Sequence, residues 1–220
     1  MGSLANVIIA MAAFVGTHFL MSHPLRAGMV ARLGLGGFRV VYSLVSFATL
    51  GWVVWAMREM GPEPFLWTAP RWAWLLGAAL MLIASILLVG SLVGNPALPG
   101  APTVEAPRGV LAITRHPMMW GFAIWAFVHA LVWPQPSVLV LAAGIAILAL
   151  GGAAGQDAKK AALQPGFWPR WKAQTAFVPF TGPSRSWWPG WPVMLGGVVL
   201  WLVATWAHPK LGAPPVGVWS

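Results

Sequence analysis

Six apolar stretches follow one another along 220 residues, each close to the roughly 20 residues that a helix needs to cross a hydrocarbon core of about 30 Å. They run from about Leu4 to Ser22, Phe38 to Met57, Trp72 to Val93, Met118 to Trp133, Ser137 to Gly155 and Trp191 to Ala207. In lipid the backbone must satisfy its own polar groups, so a succession of such stretches predicts spanning helices. With 59% hydrophobic and only 8% charged residues, this chain holds more apolar surface than one water-soluble core can hide. The expected fold is all-α: a polytopic membrane helical bundle of about six transmembrane helices with short cytoplasmic interfacial helices. Residues 1–220 read as a single integral membrane domain. The fourth and fifth spans are separated by only Pro134-Gln135-Pro136, which predicts a tight antiparallel hairpin. The first span has no basic segment before it and no small-residue cleavage pattern after it, so it is expected to be retained.

Charge sets the expected orientation. Arg26, Arg32, Arg39, Arg108, Arg115, Lys159, Lys160, Arg170, Lys172 and Arg185 fall on one side, and only Arg58, Arg71 and Lys210 on the other. By the positive-inside rule the first side is cytoplasmic and both termini face outward, as expected for a multi-pass membrane protein. The net charge of +9 is scattered between spans and forms no dense run, so it points to topology and a lipid bilayer partner, not to nucleic acid. Tryptophans near the span ends, such as Trp52, Trp67, Trp133 and Trp188, read as interfacial anchors.

Three connections carry local signals. Ser22-His23-Pro24-Leu25-Arg26 predicts a short helix with Pro24 in its first turn; Leu25, Met29 and Leu33 set against Arg26 and Arg32 lay it on the membrane surface. The proline- and glycine-rich stretch from Asn95 to Gly109 is expected to be non-helical and placed to drape over a pocket. Asp157 to Phe180 mixes cations with aromatics and is expected to form an interfacial helix and turn, with a lid over a cytoplasmic site as the alternative.

The ionisable residues narrow the chemistry. The acids are Glu59, Glu63, Glu105 and Asp157, all in expected loops or at a span end, so the mid-membrane carboxylate of a proton- or cation-coupled carrier is missing. The lack of cysteine removes disulfides, thiolate catalysis, cysteine-ligated zinc and iron–sulfur clusters. Histidine remains: His18, His116 and His129 in or beside spans, with His23 and His208, each followed by proline, read as structural. Imidazole suits iron, and without a cysteine or acid cluster a porphyrin iron fits this inventory better than three-ligand zinc. His18 lies about one turn inside the cytoplasmic end of the first span, and His116 at the mouth of the fourth. His129 is 13 residues beyond His116, roughly 20 Å deeper on a continuous helix. A bis-histidine metal site is therefore expected at His18 and His116, with His129 supporting it or serving a separate site. Each histidine also has a plain structural alternative, a hydrogen bond to a neighbouring carbonyl. Tyr42, the one tyrosine, is a hydrogen-bond donor or simply an interface residue.

Gly16-Thr17-His18, the run Phe38 to Ser46, Leu111 to Gly121 with its Thr-Arg-His-Pro, Trp125 to Leu131, and Trp171 to Phe180 together resemble the NnrU family over about residues 7–180, leaving the span at about 191–207 as an addition to that core. The family includes denitrification-associated bacterial proteins and is similar to the 15-cis-zeta-carotene isomerases. The resemblance implies a membrane protein binding haem b through histidine. In the isomerases the ferrous form isomerises the central cis double bond of a linear polyene. By position it carries His18, His116 and His129 over as cofactor-binding residues. Arg115 beside His116 can pair with a haem propionate or act as a positive-inside anchor. The isomerases have a further histidine in the fifth span, and Ile145 to Leu150 contains none. Catalytic residues are not assigned. The implied partners are a hydrophobic polyene or other lipid-like substrate and a membrane redox partner.

Two other classes share part of this pattern. Arg-His-Pro and a closing Pro-Phe also occur in isoprenylcysteine and phospholipid methyltransferases, whose acidic residues lie about where Asp157 and Ala158 stand. A non-enzymatic haem or redox accessory in denitrification is compatible with every feature above.

Overall fold

A computed structural model describes residues 2–98, 106–212 and 216; among these the regular structure is helical, with no strand. The elements are α1 (Leu4–Ser22), α2 (Arg26–Arg58), α3 (Arg71–Gly90), α4 (Val110–Ile113), α5 (Pro117–Val132), α6 (Pro136–Leu163), α7 (Trp168–Gln174) and α8 (Trp191–Ala207), followed by a 3-10 turn at Pro209–Leu211. α1, α2, α3 and α6 are long and apolar enough to cross a membrane, and α5 and α8 are shorter apolar helices. The expected membrane helical bundle is therefore present.

Local sequence explains where these helices begin. The Ser3 hydroxyl accepts from the Asn6 N–H at 3.2 Å and caps α1. Pro117, Pro136, Pro169 and Pro192 stand in the first turns of α5, α6, α7 and α8, where a missing N–H leaves no bond unmade. Glu63 caps α6 from the loop between α2 and α3: Oε1 accepts from the Ser137 N–H at 3.1 Å, and Oε2 accepts from the Ser137 hydroxyl. Gly34 interrupts α2 with φ 68, a backbone conformation that L side chains resist. It separates the helical stretch with Met29 and Leu33 beside Arg26 and Arg32 from the longer run that follows; Pro24 lies in the turn before α2 and not, as expected, in its first helical turn.

The helices pack in an open row. In spatial order they run α2, α1, α6, α5, α3, α8, and among the described residues α2 has α1 as its one substantial helical neighbour, while α8 packs on α3. Small residues set the close approaches, as is usual where helices meet in lipid. Gly77 lies against Val128 and Gly121 against the Ala84 carbonyl, while Gly196 and Gly197 face Val89 and Ile86. α6 meets α1 through Gly144 against Met11, Gly151 against Phe19 and Gly155 against His23. The sequence offset in these three pairs is constant to within a residue, so α1 and α6 run parallel.

One further expectation changes. The basic cluster after the fifth span does not open a separate interfacial segment, because α6 continues as one helix through Asp157, Lys159 and Lys160 to Leu163. The stretch from Asn95 to Gly109 is pinned at its start by Gln156 Nε2 donating to the Ala97 carbonyl at 2.9 Å and by Lys160 Nζ donating to the Pro96 carbonyl at 2.7 Å. Residues 99–105, with Glu105 and the centre of the expected drape, lie outside the described residues.

Candidate functional site

At the end of the α5–α6 hairpin remote from the Pro134–Pro136 turn, Thr114, Arg115 and His116 lead into α5 in extended and irregular conformation, because Pro117 disfavours helix before it. That conformation turns both basic side chains onto Asp157. Arg115 donates Nε and Nη2 to the carboxylate at 2.5–3.0 Å, and His116 Nε2 lies 2.9 Å from Oδ1. An ionised carboxylate only accepts, so Nε2 carries a proton. The three side chains are almost fully buried: 9% exposed for Arg115, 10% for Asp157 and none for His116. Isolated buried charges would be strongly unfavourable, and this pairing with bidentate hydrogen bonding is what permits them.

The segment after α7 closes over the cluster. The Arg115 N–H donates to the Ala176 carbonyl at 2.9 Å, and the Thr114 hydroxyl and Trp120 Nε1 donate to the Phe177 carbonyl at 2.7 and 2.8 Å. The Phe180 N–H donates to the Ile113 carbonyl at 2.9 Å, and the Phe177 ring stands edge-on to His116 at 5.4 Å. Trp168 and Trp171 fill the space between α7, Leu87, Val110 and Leu111. The result is a latch joining α4, α5, α6 and α7. His116 Nδ1 is buried inside it without a hydrogen-bond partner.

The other expected residues lie elsewhere. His18 faces α2: its Nδ1 lies 2.7 Å from the Phe14 carbonyl, its Nε2 lies 3.2 Å from the Ser46 hydroxyl, and its ring is 5.3 Å from that of Tyr42. By the α1–α6 register it stands level with Leu150. Asp157 is two helical turns further on, roughly 10 Å along the axis. The shared level expected for His18 and His116 is therefore not what the packing produces. His129 lies 2.8 Å through Nδ1 from the Trp125 carbonyl, stacks on Trp125 at 3.9 Å and approaches the His208 ring at 6.1 Å. His208, read from sequence as purely structural, thus neighbours an expected site residue. Among the described residues, no three histidine, cysteine or acidic side chains gather as a metal-binding group. An open depression lined by Arg108, Val110, Trp188 and Val193 contains none of the expected histidines.

A family model described as NnrU protein matches residues 6–215. The chain belongs to the NnrU family. The match continues through α8, so the last span lies within the NnrU unit and not outside it. No curated protein and no solved structure matches the chain.

Haem is the group that the sequence resemblance attaches to NnrU proteins, and the donor chemistry of this chain bears on whether it fits. A metal-bound histidine usually donates its other ring N–H to a carbonyl or carboxylate, which fixes the tautomer and leaves a lone pair for the metal. Carbonyls only accept, so the neutral rings of His18 and His129 carry their protons on Nδ1 and present Nε2 as the lone pair. Both rings are half-buried. His116 also has one nitrogen held by a carboxylate, but its side chain is wholly enclosed and leaves no space for a flat macrocycle beside Nδ1. By donor chemistry His18 and His129 are separate candidate ligands for an iron porphyrin, although His18 Nε2 faces the Ser46 hydroxyl of α2; His116 fits a latch.

Proposed function

We propose that this NnrU protein binds haem b within the bilayer through imidazole nitrogen and acts on a lipid-soluble conjugated substrate, as a cis–trans isomerase of a linear polyene. The observation that carries this reading is that His18 and His129, half-buried in apolar helices, each have Nδ1 held by the carbonyl one turn back; His18 Nε2 meets the Ser46 hydroxyl and His129 neighbours His208, so the two are separate candidate ligands and not a pair on one iron. Ionisable groups inside spans are unfavourable unless they are used, which favours a function for both.

Haem held there would supply a Lewis-acidic iron able to polarise a conjugated π-system without net oxidation or reduction. The chain supplies the rest. The Phe14 and Trp125 carbonyls orient the imidazoles, and the apolar helix faces exclude water and accept a long hydrocarbon. The Arg115–His116–Asp157 latch holds the α5–α6 hairpin in register. The methyltransferase alternative is not favoured, because Asp157, the acid it would use, is already taken by Arg115 and His116.

The test is a dithionite-reduced minus oxidised spectrum of detergent-purified protein from haem-replete cells. A Soret band with b-type α and β bands is expected, and a colourless preparation rejects the proposal. Co-expression with a poly-cis carotene pathway then separates catalysis from an accessory role, since an accessory leaves the pigment profile unchanged.

A further inference from the structure

Where α1 gives way to α2, two cations and a histidine gather that neither the haem reading nor the latch uses. His23 packs its imidazole against Gly155 of α6, where an added Cβ would strike Nε2. Lys159 stands one turn beyond Gly155 on the same face of α6, and Arg26 stands one turn beyond His23, its N–H donating to the His23 carbonyl at 3.3 Å. Lys159 therefore faces the first turn of α2, within electrostatic reach of both Arg26 and His23. Burial, and after it the charge of Lys159, holds the His23 imidazole below its usual value.

Arg26, Lys159 and His23 are each half-buried, whereas Arg32 and Arg39 further along α2 are exposed. Among the described residues no acid pairs with either cation, because Asp157, two residues before Lys159, is turned onto Arg115 and His116. Lys160 is already spent on the Pro96 carbonyl at 2.7 Å and lies over the Trp168 ring. Like charges drawn partly out of water and held side by side are unfavourable, so the arrangement calls for an anion between them.

We propose that Arg26 and Lys159 bind an anionic phospholipid, its phosphate between the two cations and its acyl chains beside Leu20 and Leu25. A guanidinium fork matches phosphate oxygens, and the Arg26 fork is braced over the Phe38 ring at 5.7 Å; Lys159 adds a point charge. Leu20 and Leu25, joined by the Leu25 N–H donating to the Leu20 carbonyl at 3.0 Å, are half or more exposed next to Arg26. A free phosphate ion has no use for exposed leucines, and a phospholipid has. Cations at the end of a span stand at headgroup level, where such lipids present their charge. The site does not depend on haem.

The experiment is thermal unfolding of the full-length protein in a neutral detergent, titrated with phosphatidylglycerol, with phosphatidylcholine and with inorganic phosphate. Phosphatidylglycerol is expected to raise the Tm to a plateau, and the other two to leave it in place. Arg26→Gln combined with Lys159→Gln should raise the half-saturating phosphatidylglycerol concentration about tenfold or more, because hydrogen bonds to a charged group are lost. Arg39→Gln, at an exposed cation of the same helix, should match wild type. Equal effects of the two lipids overturn the site, as does a loss in Arg39→Gln as large as in the double variant, which marks diffuse attraction. A plateau reached with inorganic phosphate alone overturns the assignment to lipid. Native mass spectrometry of the wild type needs no variant: phosphatidylglycerol retained over phosphatidylcholine from an equimolar mixture supports the site, and equal retention rejects it.

Discussion

The carboxylate of Asp157, near the end of α6, takes the Arg115 guanidinium side-on and the His116 imidazole at 2.9 Å, so one acid satisfies two neighbouring bases from the start of α5. Removing the acid leaves two buried bases without their anion, and removing either base leaves the other to hold the hairpin.

Asp157→Ala should therefore destabilise the protein by roughly 3–5 kcal/mol, the range for stranding a buried charge. Arg115→Lys keeps the charge but loses the fork and should be milder, about 1.5–3 kcal/mol. Thermal unfolding in one detergent, followed by size-exclusion chromatography, ranks the variants. Equal stability of wild type and Asp157→Ala would show that the latch contributes nothing.

Haem content should separate the histidines. His18→Ala and His129→Ala are expected to lose or shift the Soret band, whereas His116→Ala should keep it and unfold at lower temperature. A band abolished only in His116→Ala would reverse the assignment of roles.

Gly197 sits where a Cβ would come within 2.8 Å of Ile86 Cα and 3.0 Å of its backbone nitrogen, and backbone cannot turn aside. Gly197→Val should push α8 off α3 at a cost of about 1–3 kcal/mol or more. Gly16→Val, at a glycine with open space around it, serves as the control.

A Cβ added at Gly34 would meet nothing within 4 Å, so Gly34→Ala tests backbone strain alone. About 1–3 kcal/mol is expected, because φ 68 with ψ 171 is a conformation that essentially only glycine adopts without strain. Hydrogen exchange should show it as faster exchange confined to residues near the break in α2.

A chain without cysteine allows single-site labelling with no background. The charge count predicts both termini outside, so a membrane-impermeant maleimide on intact spheroplasts should label Arg58→Cys and Lys210→Cys and miss Lys172→Cys. The opposite pattern would invert the topology.

Hydropathy and proline make the spans legible because lipid imposes one simple rule on backbone and side chain alike. The bounds of α1 and α8 follow directly from it, and the Pro134–Pro136 turn gives the hairpin. The Asp157 cluster is harder to see because α6 carries polar residues past the apolar window, so the acid looks like part of a loop. A signal exists nonetheless: folding the hairpin about its short turn brings residue 116 opposite the mid-150s, where a lone acid waits for Arg-His. The level of His18 is not legible, since it depends on how α1 slides against α6, and the small residues Gly144, Gly151 and Gly155 set that only once paired with Met11, Phe19 and His23. Depth counted from a helix end ignores such offsets.

A row of helices with two unclosed margins also has two broad sides, and each is reached from the hydrocarbon phase. A greasy molecule dissolved among the acyl chains can therefore slide up to the inner helices sideways, without passing through water or waiting for a portal to form.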